Sequence, residues 1–373
     1  MNRMMSGLNR LVRGIACVGI ALVVAMTMAS SAQAQTSAVP PGAGTAVSPY
    51  LISQLEHLVW MGDNVGSSTG KYYTLQNNID ASDTTNWNSG AGFAPIGTDV
   101  TPFGGVFNGN GKVISNLSIN RPGQQYVGLF GFVGSSGVVK DLGLAGGSVT
   151  GYCYVGGLVG VNAGTVSGCY ATGSVTGAYG AVGGLVGYNN DTVSNCYATG
   201  SVTGTWDVGG LVGYNSGPVS NCYATGSVTG GWDVGGFVAI NTSTVSNSYW
   251  DTQTSGQATS DGGTGKTTAQ MKQQVTFVGW DFANVWRITE NVTYPLFVTP
   301  PTNLQVHLTI IRSAANVILT WPTNATGFTL QSTTNLVSPA VWNTVSPAPV
   351  IVNGQNAVTN QISGKQKFFR LSQ

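Results

Sequence analysis

Residues 157–177 read GLVGVNAGTVSGCYATGSVTG, residues 184–204 read GLVGYNNDTVSNCYATGSVTG, and residues 210–230 read GLVGYNSGPVSNCYATGSVTG. Their cysteines, Cys169, Cys196 and Cys222, fall 27 and then 26 residues apart. A fixed period of this size marks a stacked architecture in which each unit buries its apolar face only against its neighbours. Within a copy, β-branched runs such as Thr192-Val193-Ser194 and Ser201-Val202-Thr203 alternate with Gly- and Asn-rich corners. Runs this short cannot nucleate helices, and no helical periodicity is visible. They are expected to be strands, two or three to a turn, of a right-handed parallel β-helix.

Equivalent residues then stack at the inter-strand spacing of about 4.8 Å. The inward columns are expected to be Leu158, Leu185, Leu211 and Phe237; Val166, Val193, Val219 and Val245; and Val149, Val175, Val202 and Val228. Gly156-Gly157, Gly183-Gly184, Gly209-Gly210 and Gly235-Gly236 are read as tight corners needing positive φ. Asn162, Asn189, Asn215 and Asn241 are read as an amide ladder. The cysteine column is read as buried thiols that pack the core, with one disulfide as the alternative. Metal binding is not supported there, because no histidine or second cysteine row joins the column. Cys153, in the Tyr152-Cys153-Tyr154 corner, stands apart from it.

More diverged copies extend the stack on both sides, around Val127–Gly151 with Leu142 in the cysteine position and around Gly236–Tyr249 with Ser248 there. Six to eight coils are implied, and their open ends need covers. Ser53-Gln54-Leu55-Glu56 has the form of a capping box opening a short helix, with Leu55, Leu58 and Val59 on one face and Gly62 as a stop. At the other end, Thr267-Thr268-Ala269-Gln270 resembles a second cap. Phe277, Trp280, Phe282, Trp286 and Phe297 are expected to close the core beyond it. The segment 260–267, SDGGTGKT, only superficially resembles a phosphate-binding loop and is read as a surface loop before that cap.

These copies resemble the GLUG motif of bacterial surface and secreted proteins, including filamentous-haemagglutinin-like adhesins and some streptococcal immunoglobulin A peptidases. The resemblance covers about residues 43–298 and includes Phe93-Ala94-Pro95-Ile96-Gly97 and the Tyr249-Trp250-Asp251-Thr252 exit. It implies a β-helical fold. It carries over no catalytic residue, because GLUG regions accompany peptidases without being their catalytic part. The chain is shorter than the large adhesins and has no candidate translocator barrel.

Composition narrows the function classes. Only 7% of residues are charged, and 54 of 373 are glycine. Arg3, Arg10 and Arg13, the apolar run 15–28 and Ala32-Gln33-Ala34 make residues 1–34 an expected signal peptide, so the protein is expected to be exported to the surface or medium. Removing the three leader arginines leaves 11 basic against 13 acidic residues, which gives no electrostatic argument for nucleic acid. No further apolar stretch is long enough for a transmembrane helix. Residues 35–48 read as a linker and 49–298 as the capped solenoid. Residues 302–373 read as a small β-sandwich that resembles a fibronectin-III-like module, with six strands from Val306 to Leu371 after Pro300-Pro301.

The chemistry-bearing residues are few. Trp206-Asp207 and Trp232-Asp233 lie 26 residues apart, with Tyr179 near the same corner one coil earlier. An aromatic stripe flanked by carboxylates is suited to sugar rings, although a purely structural stack is the competing reading. Paired carboxylates also invite a glycoside hydrolase or lyase reading. Asp207 and Asp233 share one column instead of facing each other, however, and no Arg or Lys lies near them in sequence. His57 and His307 fall in a cap and in the terminal module. The expectation is a non-catalytic protein without cofactor that binds an extracellular carbohydrate or surface protein through Tyr179, Trp206, Asp207, Trp232 and Asp233. A polysaccharide-active enzyme and an architectural envelope component are the alternatives.

Overall fold

The computed structural model describes residues 35–298, 308–313, 315–322, 329–336, 340–352, 355–361 and 366–372. The expected signal peptide, the Pro300-Pro301 boundary and His307 lie outside these residues. The chain divides into two compact units, up to Val298 and from Thr299 onward.

The first unit is a parallel β-solenoid of about seven turns. A representative coil runs through five short strands, Trp206–Gly209, Val212–Asn215, Val219–Ser220, Tyr223–Ala224 and Val228–Thr229. These are called the first to fifth faces below. Each strand pairs in parallel with its equivalents one coil before and one coil after, as in Val186↔Val212, Val193↔Val219 and Val202↔Val228. The coil therefore has five faces, where two or three strands were expected. The Gly- and Asn-rich corners fold the chain after every two to four residues, so each short run becomes its own strand.

The predicted inward columns form the core. Leu158, Leu185, Leu211 and Phe237 are fully buried, as are Val166 and Val193. Burial of each such side chain contributes about 1.5–3 kcal/mol. The amide ladder is also present: Asn162 Nδ2 donates to Asn189 Oδ1, Asn189 to Asn215 and Asn215 to Asn241, each at 2.8 Å.

Cys169, Cys196 and Cys222 are buried free thiols. Each takes part in a hydrogen-bonded column. The backbone N–H of Cys169 reaches Cys196 Sγ at 3.4 Å, and that of Cys196 reaches Cys222 Sγ at 3.3 Å. Each Sγ donates to the carbonyl two residues earlier, at 3.1–3.2 Å. Ser248 continues the pattern, accepting from Cys222 N at 3.1 Å and donating to Ser246 O at 2.8 Å. A serine fits the series because its hydroxyl makes the same two bonds. Burial pushes the thiols of Cys169 and Cys196 well up, so they are poor nucleophiles.

The Gly-Gly pairs do not adopt positive φ. They are required by close backbone approach: a Cβ on Gly184 would strike Gly210 O and the Ala198 side chain. The left-handed corner lies instead just before the cysteine column, at Gly168, Asn195, Asn221 and Asn247, with φ from 44° to 62°. Asn tolerates this conformation because its short polar side chain bonds locally.

At the N-terminal end, the helix Leu55–Asp63 lays Leu55, Leu58, Val59 and Met61 onto the core. The capping box does not form: Gln54 is the cap residue, and Ser53 N–H donates to His57 Nδ1 at 3.1 Å. Gly62 lies inside the helix, which runs on to an Asn64 cap. At the other end, Thr267 and Gln270 do make the reciprocal bonds of a cap, Thr267 N to Gln270 Oε1 at 2.9 Å and Gln270 N to Thr267 Oγ1 at 3.3 Å, before a single 3₁₀ turn.

The aromatic cluster does not close the end. Trp250 is the core residue there, lying against Gly236 and Gly265. The SDGGTGKT segment works as an edge cover. Val238 N donates to Ser260 Oγ at 2.9 Å, Asn241 N donates to Asp261 Oδ2 at 2.8 Å, and Thr264–Lys266 pairs with Tyr249–Asp251. Phe277, Trp280, Trp286 and Phe297 pack sideways on the fourth face, against Tyr197, Tyr223 and Tyr249.

Among the described residues, the second unit is a β-sandwich of antiparallel sheets with four and three strands sharing a core of Leu319, Trp321, Leu330, Val345 and Val358. The strand Gln355–Gln361 was not anticipated. Its sequence, QNAVTNQ, carries little apolar signal although Ala357 and Val358 are buried.

Candidate functional site: a notch in an aromatic face

The extra residue behind the first 27-residue spacing can be placed. Val149 and Val155, and likewise Val202 and Val208, bracket corners of equal length, whereas the corner from Val175 to Val182 is one residue longer. That corner holds Ala178, Tyr179, Gly180 and Ala181. Counting back from the paired valines, Tyr126, Tyr154, Ala181, Asp207 and Asp233 occupy successive rungs of one outward column. Ala181 thus stands where neighbouring coils carry a ring or a carboxylate, and Gly180 precedes it.

Small residues at that rung open a cavity of about 390 Å³. Tyr126 and Tyr154 form one wall, stacked at 5.4 Å with planes 6° apart. Tyr188 and Tyr214, on the second face, are stacked at 5.0 Å and form the floor. Tyr188 meets Tyr154 edge-on at 5.7 Å and 83°. Tyr179 and Trp206 form the opposite wall, with centroids 6.0 Å apart, and Asp207 and Asn190 supply polar groups.

Tyr126, Tyr154, Asp207 and Asp233 all have φ between 47° and 58°. Asp tolerates this conformation as Asn does at the other corner, whereas at Tyr126 and Tyr154 it costs about 1–3 kcal/mol each. Asp207 is 8% exposed, so its carboxylate lies within the wall of the cavity. Burial, followed by the neighbouring Tyr126, Tyr188 and Asp207, raises the Tyr154 phenol and keeps it neutral.

The predicted site residues divide into two groups. Tyr179, Trp206 and Asp207 line the cavity. Trp232 stacks on Trp206 at 5.4 Å and 14°, extending the platform along the solenoid, and is 60% exposed. Asp233 is exposed beside it, outside the cavity. Sequence reasoning missed Tyr126, Tyr154, Tyr188 and Tyr214. The Tyr-Asn of GLVGYN at Tyr188 and Tyr214 was a signal, since it recurs one residue before the inward Asn ladder and so points outward.

Known proteins resemble parts of this chain. The GLUG motif family matches residues 151–176, 178–203 and 204–229. Halomucin of Haloquadratum walsbyi is 45% identical over 147 residues, which is 38% of this chain and 2% of halomucin. A candidate Gly-rich membrane protein of Evansella cellulosilytica is 37% identical over 155 residues, 40% of this chain and 18% of that protein. The chain therefore spans a small part of both relatives. Among solved structures, a candidate immunoglobulin A1 protease from Bacteroides ovatus superposes with a TM-score of 0.53 at 22% identity, covering 69% of this chain and 94% of that one. At that identity the likeness is one of fold. The three central copies are GLUG motifs carried on a parallel β-solenoid.

Proposed function

We propose that this is a non-catalytic exported protein of the cell surface that binds carbohydrate in the notch beside Tyr154 and Trp206. The observation that carries this reading is the missing rung at Gly180-Ala181. It leaves a ring-sized gap between the stacked Tyr126–Tyr154 pair and the Asp207 rung, with a carboxylate and an amide at its edge. A pyranose presents an apolar C–H face and a rim of hydroxyls. Stacked rings receive the first, while Asp207 and Asn190 accept or donate to the second. Trp232 offers a neighbouring sugar a second platform. The surface assignment draws on the names of the two relatives and on the leader-like N-terminus. Among the described residues, no helix is long and apolar enough to cross a membrane.

A glycan array followed by calorimetry tests the reading, alongside reducing-sugar and unsaturated-product assays on polysaccharides. Binding without turnover, weakened at least about tenfold by Trp206→Ala, is expected. Turnover abolished by Asp207→Ala would replace the reading with an enzymatic one. Binding to surface proteins alone would assign the notch to a protein ligand.

A further inference from the structure

The notch has a sign as well as a shape. Among the residues that line it there is no lysine, arginine or histidine, and Asp207 is the one carboxylate. The remaining walls are aromatic faces, whose quadrupoles present negative charge to whatever enters. On its own column, Tyr154 precedes the Ala181 rung and Asp207 follows it. Two inter-strand steps separate those flanking residues by roughly 10 Å. That distance accommodates one six-membered ring lying on Tyr154 with a substituent directed at Asp207. Tyr188, perpendicular to Tyr154 at 5.7 Å, closes the corner from below.

From this geometry we infer that the notch selects an amino sugar with an unsubstituted ammonium group, its ring stacked on Tyr154 and its charge paired with Asp207. The inference rests on the carbohydrate reading above and narrows it. An ammonium is attracted to both partners at once, by cation–π contact with the rings and by a charge-assisted hydrogen bond to the carboxylate. The same surroundings reject uronates, because a second carboxylate would face Asp207 with no cation between them. They also disfavour the N-acetylated sugar, which keeps the ring but loses the charge.

Calorimetry on the full chain distinguishes these outcomes with three ligands: a β-1,4-linked glucosamine hexamer, its fully N-acetylated counterpart, and an oligogalacturonate. The glucosamine hexamer is expected to bind at least about tenfold more tightly than the acetylated one, with no binding of the uronate. Asp207→Asn should erase that preference while leaving weak, equal binding of both hexamers, and Asn suits the left-handed backbone at this position. A second variant, Ala181→Tyr, replaces the missing ring and should abolish binding of all three. Equal affinity for the two hexamers in the wild-type protein, unchanged by Asp207→Asn, would overturn the ammonium inference and leave the carbohydrate reading standing. Tight binding of the uronate would overturn it too. Absence of binding to any saccharide, here and on the array, would overturn both.

Discussion

The solenoid carries aromatic stacks on two of its sides, and they have opposite fates. On the fourth face, Tyr170, Tyr197 and Tyr223 stack at 4.8 and 4.9 Å with nearly parallel rings. This stack is covered by the segment that follows the last coil. Trp286 and Phe297 pack on it, Tyr223 Oη donates to Pro295 O at 2.6 Å, and Trp280 Nε1 donates to Asn247 O at 2.8 Å. Around the first and second faces, the pairs Tyr126–Tyr154, Tyr188–Tyr214 and Trp206–Trp232 stack at 5.0–5.4 Å with planes 6–16° apart, and no such cover lies on them among the described residues. Repetition alone therefore does not distinguish scaffold from site. A stack built by identical copies serves as a packing surface where the chain returns to it and stays open where it does not.

Tyr223→Ala should give the largest effect. It removes a 1%-exposed ring and its hydrogen bond from the covered side, and a loss of about 3–5 kcal/mol is expected in denaturant unfolding. Early proteolysis within residues 267–298 should accompany it. An unfolding loss no greater than that of Tyr188→Ala would break the comparison.

Alkaline titration probes the same difference. Burial raises the Tyr197 and Tyr223 phenols, and burial together with Asp251, which accepts its hydrogen bond, pushes Tyr294 up to about 12. A phenol whose folded pKa exceeds its unfolded value stabilises the fold fully below that unfolded value, and the contribution is lost as pH rises through the folded one. For Tyr294 the window runs from about 10 to about 12, so the covering segment should loosen there, as followed by tyrosinate absorbance and limited proteolysis.

Asn189→Ala interrupts the interior amide ladder on both sides and should cost about 3 kcal/mol, affecting both aromatic sides alike. Cys196→Ser should cost less than about 1.5 kcal/mol, since Ser248 already makes the equivalent bonds. The native cysteines of the column should resist thiol reagents until the protein is unfolded. Trp232→Ala, on an exposed ring, should change stability by no more than about 0.5 kcal/mol while weakening saccharide binding.

Much of this was legible from the period. Once Cys169, Cys196 and Cys222 are aligned, the valine, leucine and asparagine columns follow by counting, because register in a parallel stack is fixed by its buried side. The number of faces was not legible, since glycine corners hide how often the chain turns. The ends were read less well than the middle. Trp250 and the SDGGTGKT edge cover belong to no repeat, and their roles depend on contacts that span the last coil. At the site, Trp206 and Asp207 stood out because they repeat with Trp232 and Asp233. The walls at Tyr126 and Tyr154 did not, because their column changes to Ala181, Asp207 and Asp233 in the later coils and so shows no repeating residue.

The one-residue lengthening of the Ala178–Ala181 corner makes this solenoid an addressable ruler. Neighbouring copies are close to interchangeable, so the position of the cavity is set by which copy bears the insertion. Transplanting the Tyr179-Gly180-Ala181 corner into the following copy should shift the cavity along the axis by one strand spacing, about 4.8 Å, and leave the buried columns in phase. A second insertion a chosen number of coils away would create paired notches at a preset separation.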